Sequence, residues 1–230
     1  MGFGPRGWGL LLLQAALMTI AVSSAAFALG SVLGVLIAWA RIEGNHVVQL
    51  AADAYTTVLR GIPDLLVIYL LYFGGSSALT ALAHALGAKG FVGVDAFAAG
   101  SIAVGIISGA YQSEIFRGAY QAIARGELEA ARSVGMPRAL LFRRIIVPQA
   151  LRFAIPGLGN VWQLALKESA LISVVGLTEI LRQAQVGAGS TRQLFAFFIT
   201  AAALYLVLST ISGWGFHRAE AVGMRGVRRS

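Results

Sequence analysis

The chain of 230 residues contains no cysteine. Disulfides and thiolate metal sites are therefore excluded. Charge is equally scarce: 12% of the residues are Asp, Glu, Lys or Arg, against about 25% in a soluble domain. His46, His84 and His217 are scattered without metal-ligand spacing, so no metal site is expected. No Gly-x-x-x-x-Gly-Lys-Ser/Thr run occurs, and with no phosphate-binding loop the chain is not expected to hydrolyse ATP or hold a cofactor. There is no His-Glu-x-x-His and no nucleophile motif, which leaves an intramembrane enzyme as the weaker alternative.

What fills the chain instead is apolar: 57% of it is hydrophobic. Five apolar stretches stand out, at residues 10–39, 65–86 with a run-in from Asp53, 97–116, 153–166 and 194–216. A membrane crossing needs about 20 residues. Four stretches meet that length, and the fourth in order needs extension at both ends. Arg6 before the first stretch admits a cleaved signal peptide as the alternative reading. The run continues to Trp39 without a clear cleavage boundary, which favours a retained helix.

The formal charge of +8 is a matter of placement. With five spans, loops on one side carry Arg41, Arg60, Arg117, Arg125, Arg132, Arg138, Arg143, Arg144, Arg152, Arg218, Arg225, Arg228 and Arg229. The other side carries only Arg6, Lys89, Lys167, Arg182 and Arg192. The positive-inside rule puts the first group in the cytoplasm and the N-terminus outside. No basic patch interleaved with aromatics supports nucleic-acid binding.

One long polar loop, about residues 120–150, interrupts the apolar pattern. Glu127, Leu128, Glu129, Ala130 and Ala131 are good helix formers with acids in the first turn. Gly135 fits a left-handed C-terminal stop, and Pro137 blocks continuation. A short helix of about two turns therefore ends sharply, and a second begins near Arg138. The small Ala130 and Ala131 suggest a smooth docking face. The bland reading is an ordinary connector.

The order Glu129-Ala130-Ala131, Gly135, Ile145, Val147, Pro148 resembles the EAA loop of the membrane subunits of bacterial ABC importers, with Val147 where Leu is usual. Around it, Tyr55 to Asp64, Gly109 to Gly118, Pro156 to Gln163 and Lys167 to Gly176 are similar to the polar amino acid uptake branch, closest to the permeases for histidine and other basic amino acids and for octopine and nopaline. The similarity runs from Leu10 to about Phe216. The resemblance implies an all-α integral membrane fold with about five transmembrane helices, of the type I ABC importer permease kind, with a cytoplasmic coupling helix. It implies a second permease subunit, identical or related, an ATPase subunit dimer that binds the ATP, and an external solute-binding protein. It implies placement in the bacterial inner membrane, in contact with lipid, and an amino acid or opine as solute. On this reading Glu129, Ala130, Ala131, Gly135, Ile145 and Pro148 couple to the ATPase. Asp64 departs from the wider branch, where an apolar residue usually follows the proline.

Charged residues within apolar stretches are costly and face a cavity or a partner. Asp64 follows the helix break at Gly61 and Pro63. It attracts a cationic solute, pairs with a basic residue, or caps the broken helix. Glu114 sits three residues before Arg117, a spacing that favours an intrahelical pair over a solute contact. Lys167 and Glu168, at the outer end of the fourth stretch, are solute-path candidates or mark the interface. Broken helices and buried acids also suit an ion-coupled secondary transporter, but five spans without an inverted repeat count against it.

Small residues recur every four positions at Ala26, Gly30, Gly34 and Ala38, and again at Ser101, Gly105, Gly109 and Ser113. Such seams let helix backbones approach closely in lipid, and packing within the subunit is favoured over a subunit interface. The chain reads as one transmembrane domain over 1–216 with a basic cytoplasmic tail over 217–230. The orientation is testable because no native thiol interferes. An impermeant thiol reagent on intact cells is expected to label Ala88→Cys and to spare Ala124→Cys; the opposite pattern would invert the topology.

Overall fold

A computed structural model describes residues 2 and 7–224, and among these every regular element is helical. Arg6, Arg225, Arg228 and Arg229, which entered the topology argument, lie outside the described residues. The first apolar stretch forms α1 (Gly9–Glu43), and α2 (His46–Gly61) returns beside it. The second stretch begins with α3 (Asp64–Tyr69), passes through a π turn at Leu70–Gly74 and continues as α4 (Gly75–Ala85). The third is α5 (Ala96–Gln121). The polar loop holds α6 (Arg125–Ser133) and α7 (Arg138–Leu141). A second π turn, Phe142–Ile146, leads into α8 (Val147–Glu168), the fourth stretch extended at both ends. After a 3-10 segment, Ser169–Val175, come α9 (Ile180–Thr191) and α10 (Leu194–Gly223). α10 passes Phe216 without a break, so the start of the expected tail is helical.

Three segments are long and apolar enough to cross a membrane by length and composition: α1, Asp64–Ala85 and α10. α5 and α8, at 26 and 22 residues, have the length but more small and polar residues. The reason is their position. α5 is enclosed by α1, α2, α3 and α8, so its surface meets protein rather than lipid.

The largest contact joins α1 to α5, and the two small-residue seams meet there. A methyl group added at Gly34 would sit 2.8 Å from Gln112 Cβ and 3.1 Å from the Ser113 backbone nitrogen. One added at Gly109 would meet Leu33 Cβ and the Tyr55 hydroxyl at 3.0 Å each. A polar clasp crosses the same seam. The buried Gln112 amide donates to the Phe27 carbonyl at 3.1 Å and accepts from the Ser31 hydroxyl at 2.7 Å. Around this pair Val22, Ala26, Ile68, Val104, Ala165 and Ile172 form one core.

Two elements escape a search for long apolar runs. α2 is a separate helix with one buried side, not a lead-in to the second span, because the chain breaks at Ile62 and Pro63. α9 covers the end of the bundle where α1 begins, packing Ile180, Ala184 and Ala188 with Leu12, Ala16 and Phe197. The buried Glu179 caps it, accepting from the Leu181 and Arg182 amides at 2.8 and 2.7 Å and from the Tyr205 hydroxyl at 2.8 Å.

The α1–α5 approach predicts a contrast between two glycines. Alanine gains up to about 1 kcal/mol over glycine inside a helix, whereas overpacking costs about 1–3 kcal/mol. Gly34→Ala meets backbone that cannot yield, so it should lower the unfolding midpoint of the detergent-purified protein. Gly189→Ala in α9, where nothing lies within 4 Å, should leave the midpoint unchanged or raise it. Equal behaviour of the two would remove the close-packing argument.

Candidate functional site: an acid pair, a cavity and an exposed helix

Proline removes one backbone donor and disfavours helix at the residue before it. Ile62 is accordingly extended, and Pro63 caps α3 with its carbonyl receiving the Leu66 amide at 2.9 Å. Asp64 thus opens a new helix. Its carboxyl group meets that of Glu168, the last residue of α8. Glu168 is 5% exposed, and its Oε1 atom has no hydrogen-bond partner. Among the described residues neither acid forms an ion pair with a basic group. Lys167, next in sequence, is exposed. Two carboxylates side by side repel one another, and a cation between them relieves that repulsion.

A cavity of about 400 Å³ lies beyond the break, lined by Arg41, Thr56, Thr57, Arg60, Tyr111 and Glu114 among others. Glu114 pairs with Arg117 at 2.7 Å, as the three-residue spacing implies. It also receives Arg41 at 2.6 Å from α1 and Arg60 at 3.5 Å from α2, contacts that have no local signal in the sequence. Arg41 bridges further to Asp53 at 2.6 Å. Three helices are tied together at this point. The site residues therefore fall into separate places: Asp64 with Glu168, Glu114 in the arginine cluster, and Lys167 apart from both.

The polar loop folds locally as its residues imply. Gly135 has φ of 73°, the left-handed conformation. Its amide donates to the Arg132 carbonyl at 3.0 Å and that of Met136 to Ala131 at 3.1 Å, the paired pattern of a Schellman stop. Leu128 and Ala131 turn inward against Ile123 and Leu141, with Ile145 partly buried beside them. Ala131 is thus 5% exposed and holds α6 down, not part of an outer face. Glu129, Ala130, Val134 and Pro148 are exposed. Gln149 of α8 donates to the Glu127 carboxylate, tying α6 to the longer helix.

Comparison with known proteins defines the class. Residues 30–219 match the family of binding-protein-dependent transport system inner membrane components. The chain belongs to this family and is a permease subunit of an ABC importer. It is 57% identical over 229 residues to the octopine transport system permease protein OccQ of Rhizobium radiobacter, covering 100% of this chain and 97% of that one. It is 46% identical to the nopaline transport system permease protein NocQ of Agrobacterium fabrum, over 98% of this chain and 96% of that one. It is 38% identical to the histidine/lysine/arginine/ornithine permease HisQ of Escherichia coli, over 90% of each. Among solved structures, a crystal structure of an amino acid ABC transporter with histidines superposes with a TM-score of 0.77 at 34% identity, over 92% of this chain and 93% of that one. The inward-facing methionine ABC transporter MetNI shares the fold, with a TM-score of 0.71 at 18% identity, over 96% of this chain and all of that one.

The Gly135 stop gives a direct test. A β-branched side chain tolerates positive φ poorly, and nothing crowds the site to confuse strain with clash. Gly135→Val should leave the protein inserted in the membrane while reducing solute-stimulated ATP hydrolysis by the assembled transporter severalfold. Unchanged stimulation would detach the shape of this loop from coupling.

Proposed function

We propose that this chain forms the solute pathway of an ATP-driven importer for opines and basic amino acids. The observation that carries the solute class is the pair of facing acids, Asp64 and Glu168, which have no basic partner among the described residues. A guanidinium or ammonium group between them would replace repulsion with two charged hydrogen bonds. The relatives named for octopine, nopaline and histidine/lysine/arginine/ornithine transport support the same class, since the arginine-type solutes carry a guanidinium group and lysine and ornithine an ammonium group.

The mechanism is alternating access. ATP binds to a pair of ATPase subunits, not to this chain, and their closure moves the exposed face of α6 at Glu129 and Ala130. Gly135, Ile145 and Pro148 fix the angle at which that motion enters α8. A second permease subunit, alike or related, completes the pathway, and an external binding protein delivers the solute. The subunit sits in the bacterial inner membrane with its N-terminus outside and its C-terminus in the cytoplasm. Family membership favours this reading over the ion-coupled transporter, and uptake driven by ATP without an ion gradient distinguishes the two.

Asp64→Asn tests the solute class. It keeps the size of the side chain and removes its charge. A hydrogen bond to a charged group contributes about 1.5–3 kcal/mol, so uptake of arginine or octopine by the reconstituted complex should fall about tenfold or more. Basal ATP hydrolysis and assembly should persist. Uptake at the normal rate would make Asp64 structural, and failure to assemble would do the same.

A further inference from the structure

Arg60 is the cation in this region with the least to hold. Both oxygens of Glu114 are engaged at short range, Oε1 by Arg41 at 2.6 Å and Oε2 by Arg117 at 2.7 Å. Arg41 has Asp53 as a second partner at 2.6 Å. Arg60 reaches Glu114 only at 3.5 Å, and its side chain is 46% exposed. Three guanidinium groups thus share two carboxylates, and the excess positive charge falls to Arg60. Its guanidinium carbon lies 5.6 Å from the centre of the Tyr111 ring, which holds the group by its face. A guanidinium held this way keeps edge donors free for the two-pronged recognition of a carboxylate. Those donors line the cavity beside Thr57 and Gly61.

The acid pair stands on the other side of the Pro63 break. Arg60 and Asp64 are four residues apart, at most about 14 Å along the backbone. Tyr111 lies within electrostatic reach of Arg60 and of both Asp64 and Glu168. Positive charge at Arg60 and negative charge at Asp64 and Glu168 therefore gather about one aromatic ring, with no more than about 14 Å of backbone between Arg60 and Asp64.

We propose that Arg60, seated on Tyr111, is a carboxylate subsite, so that the pathway holds its solute by both ends, the carboxylate at Arg60 and the cationic group at Asp64 and Glu168. The orientation of the solute rests on the assignment of the acid pair made above; the carboxylate subsite does not. The subsite makes a carboxylate a requirement of recognition, and it selects amino acids and opines over amines of the same side chain.

Agmatine, which is arginine without its carboxylate, separates the two ends. Equilibrium binding of L-arginine, octopine and agmatine is measured on the complete complex, both permease positions and the ATPases, purified without the binding protein. The wild type should bind arginine and octopine at least tenfold more tightly than agmatine. Arg60→Gln should abolish that preference by weakening arginine and octopine while leaving agmatine unchanged; Arg60→Lys should retain part of it. Asp64→Asn should weaken all three. Equal wild-type affinity for arginine and agmatine overturns the subsite, as does a loss in Arg60→Gln that includes agmatine, or no loss at all. If Arg60→Gln does not assemble, the wild-type preference and Arg60→Lys decide: a preference unchanged in Arg60→Lys overturns the proposal. A selective effect of Arg60→Gln alongside a silent Asp64→Asn would keep the carboxylate subsite and remove the cation site.

Discussion

The close approach of α1 and α5 is the constraint on which the subunit depends. In lipid, apolar surface alone does not drive helices together, and contact between backbones must. Gly34 and Gly109 supply that contact by leaving no room for a side chain. Gln112 makes it specific, because an amide sealed at 0% exposure must find the Phe27 carbonyl and the Ser31 hydroxyl in one register. A slip of one helical turn would leave those groups unpaired in a medium with no water to replace them.

From that register the rest of the site follows. α5 presents Gln112 to α1, and the neighbouring Tyr111 and Glu114 to α2, so the seam and the charged cavity are consecutive faces of one helix. Arg41 then serves as a joint between α1, α2 and α5. Glu168 is brought to Asp64 because α8 packs along α5 and α3 packs against it as well. The facing acids are therefore a product of helix packing, with the scaffold bearing the cost of two acids buried at one point.

Much of this was legible in the residues. The four-residue seams marked close packing within the subunit, the Gly135 and Pro137 pair marked a helix stop, and Glu114 announced Arg117. What was hidden has physical reasons. Asp64 and Glu168 are distant in sequence, and no local pattern signals a tertiary contact between two acids. α9 is too short and too polar to register as a span, although Glu179 is a cap that could have marked its start. Ala131 looked like part of a smooth outer surface because small size does not tell which side of a two-turn helix faces inward. Leu128, three residues earlier, is the clue to that side, since the two share a face.

The segment from Arg138 to Glu168 has one further property. α7, the π turn at Phe142–Ile146 and α8 follow one another without a non-helical residue. At the helical rise this is a rod of about 45 Å. One end stands in the loop cluster with α6, and the other carries a carboxyl group of the acid pair. Rods of this kind bend at π turns and at prolines, and this one has both, the turn near its base and Pro156 partway along. Displacement at the loop can therefore arrive at Glu168 only as rotation of the upper part or as flexure at those two points. The distance between the Asp64 and Glu168 carboxyl groups becomes a gauge of what happens at the far surface of the subunit, read across the whole thickness of the protein.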